Sequence, residues 1–208
     1  MIGVNLITKK RRKSMKKLIL VTSPPASGKT FISKELAKAL KHVVYLDKDT
    51  LISLSKQIFV VAGQEYDRSS DFFEENIRDY EYEAIVALAL EALDYDDIVL
   101  INAPFTREIR DKKYIDSLKE NLKQKDAKLV VIWVDTDVEV VKQRMIQRNS
   151  DRDTWKLDHW DEYIAGVNFD IPIEIDDKEV ADDLIIFKNS SKEEFDSSMG
   201  SCLKILEQ

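Results

Sequence analysis

The sequence predicts an α/β domain in which helices cover both faces of a five-stranded parallel sheet. Three observations predict it. Five short runs rich in apolar and β-branched residues recur along the 208 residues, segments of helical period separate them, and the first run leads into Ser23-Pro24-Pro25-Ala26-Ser27-Gly28-Lys29-Thr30, a tight loop that opens a helix. Runs that are apolar throughout, rather than alternating, belong to strands buried on both faces, and parallel strands need helical crossovers between them.

The elements follow in order. Strands are expected at Lys17–Thr22, Val43–Leu46, Ile98–Ile101, Leu129–Val134 and Leu184–Phe187, and helices at 29–40, 50–61, 71–93, 106–124, 137–148 and 191–206. The first helix carries an Ile32, Leu36, Leu40 stripe at the spacing of one buried face. The third carries Phe73, Ile77, Tyr80, Ala84 and Leu88 at a 3.6-residue period with acids between them, which predicts one long amphipathic helix. Four prolines and five glycines leave little room for an internal hinge, so residues 16–208 read as one domain after a basic, disordered leader over 1–15.

Charge is distributed unevenly. The chain has 32 basic and 39 acidic residues, a net −7, and seven of the basic ones (Lys9, Lys10, Arg11, Arg12, Lys13, Lys16, Lys17) fall in residues 1–17 with no acid among them. The remaining 25 bases face all 39 acids, a balance of −14. Nucleic-acid binding needs an extended basic surface, so a nucleic-acid partner is disfavoured. No apolar run approaches the length of a membrane span, and Cys202 has no cysteine to pair with. The cytoplasm is the expected location.

The loop carries the most specific chemistry. A strand, a tight turn, Gly28-Lys29-Thr30 and an amphipathic helix form a P-loop, whose backbone N–H groups and helix N-terminus cradle a phosphate chain. Residues Pro25 to Phe31 (Pro25, Ala26, Ser27, Gly28, Lys29, Thr30, Phe31) are the candidate nucleotide cradle. Lys29 is placed to reach the terminal phosphates and Thr30 to ligate Mg²⁺. Ser23 stands where the pattern has glycine, and Pro24 and Pro25 lack N–H donors, but the donors that matter lie from Ala26 onward.

In open parallel sheets, function lies beyond the carboxyl ends of the strands. After the second strand come Asp47 and Asp49, a pair able to divide metal binding and proton acceptance beside a nucleotide; the structural alternative is that Asp49 caps the following helix. After the third come Asn102 and Arg107, and after the fifth Asn189. Arg144, Arg148 and Arg152 recur every four residues. On one helix they form a single cationic face suited to clamping a polyphosphate, or else a solvated face paired with Asp151 and Asp153.

Together, Ser23–Thr30, Leu46-Asp47-Lys48-Asp49-Thr50-Leu51-Ile52, and the arginine run followed by Asp153-Thr154-Trp155-Lys156-Leu157 resemble the small P-loop kinases. That group includes adenylylsulfate, gluconate and shikimate kinases, chloramphenicol phosphotransferase and zeta-type toxins. The resemblance spans Lys16 to Ser191. It implies the P-loop NTPase fold with strand order 2-3-1-4-5 and a LID over about 144–160. It also implies ATP with Mg²⁺ as donor and a small-molecule hydroxyl (nucleoside, sugar, antibiotic or similar) as phosphoryl acceptor. It carries the base onto Asp49, metal ligation onto Thr30 and Asp47, and charge stabilisation onto Lys29 and Arg148. Nucleotide contacts fall on Arg144, Arg148, Arg152 and Asn189, and acceptor contacts on Asp49, Asn102 and Arg107. The chain departs from the pattern at Ser23 and at Asn102, where an acidic Walker B residue would end the third strand. That second departure supports the rival reading, a nucleotide-binding regulator or slow ATPase without a small-molecule acceptor.

Overall fold

Lys16–Thr22 forms β1, the central strand of the sheet, and its apolar side chains are buried on both faces. The computed structural model describes residues 15–171 and 183–207; all of the expected 1–15 leader except Met15 lies outside them. The other strands are β2 (Val43–Asp47), β3 (Ile98–Asn102), β4 (Ala127–Asp135) and β5 (Asp183–Lys188). All neighbours pair in parallel in the order β2-β3-β1-β4-β5. The register places Val21 beside Asn102 and Asn102 beside Asp47, so the ends of three adjacent strands stand level under the P-loop.

The strand side chains divide between two cores. Leu18, Leu20, Val99, Ile101, Val131 and Trp133 pack beneath α4 (Asp79–Ala92) and α5 (Lys112–Lys123), while Ile19, Val21, Leu100, Val130 and Ile132 pack beneath α1 (Lys29–Ala39) and α9 (Lys192–Leu206). The Ile32, Leu36, Leu40 stripe is buried as its spacing requires, each large side chain contributing about 1.5–3 kcal/mol. Cys202 lies in the second core, where burial pushes its thiol up to about 12; it is a packing residue without redox character. No helix among the described residues is long and apolar enough to cross a membrane.

Three expected helices differ in ways that matter for the site. The segment expected to start at 50 begins as a 3₁₀ turn, Lys48–Leu51, before α2 (Ile52–Ala62). The helix expected over 106–124 breaks at Asp111, whose side chain caps α5 by accepting the N–H groups of Lys113 and Tyr114; a 3₁₀ turn, Glu108–Arg110, precedes it. The helix ending near 148 is α6 (Val138–Arg148), and two further short helices, α7 (Asp151–Asp158) and α8 (Trp160–Gly166), fold the segment expected to be a LID. Tyr163, Trp160 and Leu157 pack there against Val141, Met145 and the P-loop residue Ala26.

The long helix contains a phase change. A short α3 (Asp71–Phe73) runs into a π-helical turn, Glu74–Arg78, and then into α4. Phe73 before the turn and Ile77 within it are buried as expected; after it, Tyr80 is 64% and Leu88 47% exposed, and Glu81, Ile85 and Ala89 are buried instead. A π turn adds one residue to the helical repeat. Every downstream member of the expected stripe therefore moves outward, and its C-terminal neighbour takes the inner position.

Candidate nucleotide-binding site

The P-loop is held by one carbonyl. The Ser27 C=O accepts the Asn189 Nδ2 donor at 2.7 Å, Arg144 Nη1 at 3.0 Å and Thr136 Oγ1 at 3.1 Å. The N–H of Gly28, trans to that carbonyl across a planar peptide, points the opposite way. Ala26 and Gly28 both adopt left-handed backbone conformations, φ 63° and 94°, the kind of reversal that gathers successive N–H groups into an anion-binding concavity. Ser23 is fully buried and donates to the Pro24 carbonyl at 3.0 Å, as Ser27 Oγ does at 3.1 Å. A small hydroxyl side chain thus fits where glycine was expected.

Above the loop opens a cleft of about 570 Å³ that brings Lys29, Thr30, Phe31, Asp49, Arg144 and Arg148 together, with Lys156 contributed by α7. Phe31 is 58% exposed at its wall, with its ring 5.3 Å from that of Phe195. Lys156 is a cleft residue that sequence reasoning did not single out. Its signal was available in the segment quoted for the LID, but helix α7 was needed to turn it inward.

Asn102 joins two of the expected site residues. Its Nδ2 lies 3.2 Å from Thr30 Oγ1, 3.0 Å from Asp47 Oδ2 and 3.4 Å from the Tyr45 hydroxyl. Tyr45 in turn donates to Asp47 Oδ2 at 2.8 Å. Burial, and then the adjacent Asp47 carboxylate, push the Tyr45 phenol well above its ordinary pKa, so it stays a donor. The second oxygen of Asp47 accepts the Asp49 N–H at 3.0 Å. Asp47 is therefore the cap of the 3₁₀ turn, which corrects the alternative that Asp49 plays that part; Asp49 is exposed and lines the cleft.

This oxygen set suits a particular cation. Among the described residues no group of three or more His, Cys, Asp or Glu side chains could hold a metal. Mg²⁺ keeps several waters and binds through one or two protein oxygens plus substrate phosphates. The Thr30 hydroxyl and the Asp47 carboxylate, both within hydrogen-bonding reach of one amide, fit that requirement, and the Asn102 Oδ1 is buried without a partner beside them.

The arginines do not form one face. Helix α6 ends at Arg148, where Asn149 turns left-handed at φ 45°; Arg152 belongs to α7, and its side chain lies outside the described residues. The expectation of three guanidinium groups on one helix is thus corrected, because Asn149 ends the helix after the second. Arg144 braces the loop, donating to the Ser27 and Asn189 carbonyls at 3.0 and 2.6 Å, and desolvation lowers its pKa without a carboxylate to offset it. Arg148 is gripped through Nε at 2.8 Å by Asp153, a wholly buried carboxylate at the head of α7, and Lys156 stands 3.5 Å from the other Asp153 oxygen.

Other expected residues fall apart from this cleft. Arg107 pairs with Glu74 at 2.7 Å and is largely exposed, lining a neighbouring cleft of about 420 Å³ with Arg110. Asn189 meets the P-loop through its side-chain amide. His42 is exposed just past α1 in a left-handed turn, and His159 stacks on Trp155 at 5.0 Å.

Comparison with known proteins agrees with this arrangement. The AAA domain family matches residues 18–169. No curated protein matches. Among solved structures, a protein from Chloroflexus aurantiacus whose own kinase assignment is provisional is 18% identical over 94% of this chain and 98% of its own, with a TM-score of 0.61. A sugar kinase from Janibacter is 16% identical over 93% and 95%, TM-score 0.55. A gluconokinase from Sinorhizobium meliloti is 14% identical over 93% and 96%, TM-score 0.52. At such identities the likeness is one of fold, and that fold is the P-loop one with strand order 2-3-1-4-5.

Proposed function

The chain belongs to the AAA domain family of P-loop proteins, and from that premise we propose that it is a kinase, transferring the γ-phosphoryl group of ATP to a hydroxyl of a small molecule. The observation that carries the proposal is the placement of Asp49. A free-standing carboxylate on a capped turn shares one cleft with Lys29, Thr30 and two arginines. A carboxylate so placed can accept the proton of an attacking hydroxyl, the role a kinase requires.

In this reading the P-loop amides from Ala26 to Phe31 hold the phosphate chain, and Phe31 and the Asn189 loop border the nucleoside. The acceptor oxygen forms its bond to the γ-phosphorus in line with the breaking bond to the β-phosphate oxygen, ADP leaves, and the hydroxyl proton passes to Asp49. Lys29 and Arg148 face the charge that spreads over the transferring group. Thr30 and Asp47 would hold Mg²⁺, which would supply further neutralisation of the phosphates. Residues 144–160 act as a LID: Asp153 fixes Arg148, and α7 brings Lys156 over the cleft, which excludes water from the transfer. Asn102 and Arg107 border the acceptor side, and residues 16–208 work as one kinase unit. The reading fits a cytosolic enzyme with no membrane or nucleic-acid partner.

One specific observation favours the second reading, a nucleotide-binding regulator or slow ATPase: Asn102 occupies the position of a Walker B acid. A single experiment separates the two. The protein is incubated with γ-labelled ATP, Mg²⁺ and pooled hydroxylated metabolites. Label should appear in a small molecule, Asp49→Asn should reduce the rate by about 10²–10⁴-fold with ATP binding retained, and Lys29→Ala should weaken ATP binding itself. ATP binding without transfer to any acceptor overturns the kinase reading.

A further inference from the structure

Glu81 takes no part in the chemistry proposed above, yet it is the most heavily hydrogen-bonded carboxylate near the cleft. It is 5% exposed. Lys48 Nζ donates to Oε2 at 2.6 Å, Arg68 donates to both oxygens at 2.7 Å, and Ser55 Oγ donates to Oε1 at 2.5 Å. Burial would raise its pKa, but the donors from Arg68, Lys48 and Ser55 outweigh burial and hold it down to about 2. The group is therefore an anion at neutral pH.

Its partners bracket the proposed base. Lys48 is the residue before Asp49, is itself 4% exposed, and directs its ammonium inward to Glu81. Ser55 lies in the first turn of α2, and Asp49 sits between these two anchors on the 3₁₀ turn Lys48–Leu51. Arg68 ties the loop between α2 and α3 to the same carboxylate and lies over the Phe73 ring at 4.4 Å. One side chain thus fixes the turn on either side of a residue that is itself exposed. The main chain of Asp49 is held at both ends, its N–H donating to Asp47 and its carbonyl accepting the Ile52 N–H, while its side chain is exposed.

We infer that Glu81 is a positioning residue for the Asp49 base, clamping the turn that carries it through Lys48 and Ser55 while Arg68 brings the α2–α3 loop to the same point. The inference rests on the kinase reading. Its physical basis is that a base displaced by about 1 Å can cost about 10²-fold in rate, and that an exposed carboxylate on a short turn has only its backbone to hold it in place.

The test compares wild type, Glu81→Gln, Asp49→Asn and the double variant for transfer rate and ATP affinity. Glu81→Gln keeps the shape but removes the charge that both cations share. It should lower kcat by about 10- to 100-fold while ATP affinity stays within about twofold. In the Asp49→Asn background the same change should alter the residual rate by less than about twofold, because its effect is transmitted through Asp49. Ser55→Ala removes one tie and leaves both cations paired, so it keeps the question open to test if Glu81→Gln folds poorly; it should lower kcat by about 3- to 10-fold with a melting temperature lower by several degrees. Equal losses in the two Asp49 backgrounds, or a folded Ser55→Ala protein with wild-type kcat, overturn the inference alone. Absence of transfer by the wild-type protein overturns the kinase reading as well, and is distinguishable because no variant is needed to see it.

Discussion

Gly28 and Asn189 stand so close that a methyl group on residue 28 would lie 2.5 Å from the Asn189 Nδ2. That nitrogen is the shortest of the three donors to the Ser27 carbonyl. Gly28→Ala must therefore displace Asn189 or the loop, and it also holds a non-glycine residue at φ 94°, a strain of roughly 1–2 kcal/mol. ATP affinity should fall at least about tenfold, with a modest loss of melting temperature. Titration calorimetry and a thermal melt on the same sample read both; unchanged affinity would mean that the brace on Ser27 is dispensable.

Arg144→Lys tests the other half of that brace. The guanidinium reaches the Ser27 and Asn189 carbonyls together, a fork that one ammonium cannot reproduce. Losing one charge-assisted hydrogen bond should lower stability by about 1.5–3 kcal/mol, and the loosened loop should weaken ATP binding by roughly tenfold or more. The measurement is the dissociation constant for ATP in the presence of Mg²⁺.

Asn102→Asp would restore an acid at the end of β3 but place it against Asp47, whose oxygen now lies 3.0 Å from the amide nitrogen. Two carboxylates at that distance cannot both ionise without cost. The apo protein should lose about 1–3 kcal/mol of stability at neutral pH, and Mg²⁺ should return most of it. Thermal melts with and without Mg²⁺ read the difference; an apo protein as stable as wild type would show that Asp47 is not charged against Asn102.

Acid stability should depend on Glu81. Its pKa in the folded chain is about 2, below an ordinary glutamate, so the unfolded chain binds the proton more readily. The stabilisation is present above the unfolded value of about 4.5 and is lost as pH falls from there through about 2, on the order of 3 kcal/mol in all. Urea unfolding at pH 6, 4 and 3 should show this decline, and Glu81→Gln, less stable at pH 6, should lose less over the same interval.

Much of this molecule could be read from its residues. The strands, their parallel character, the P-loop, the Ile32–Leu40 face and the meeting of Asp49 with Lys29 and Thr30 follow from local pattern and from the rule that strand ends gather function. What could not be read shares one cause, a change of helical phase or a helix end set by a single residue. Asn149 ends α6 after Arg148, which separates Arg152 from Arg144; Asp111 cuts the expected helix over 106–124; and the π turn at Glu74–Arg78 exchanges Tyr80 for Glu81 on the inner face. A periodicity argument assumes one repeat throughout and cannot see an inserted residue. Glu81, an acid in an amphipathic stretch, reads as solvated until the structure shows three donors' worth of protein around it.

The one additional residue in the Glu74–Arg78 turn has a consequence for comparing this chain with its relatives. A homologue lacking it would keep Phe73 and Ile77 in register and present a different residue at the Glu81 position, so a pairwise match running ungapped through this helix equates inward positions with outward ones on one side of the turn. Deleting a single residue between 74 and 78 would rotate everything from Asp79 to Ala92 by about 100°, carrying Glu81 toward solvent and releasing Lys48 and the turn next to it, with no change to any residue of the cleft.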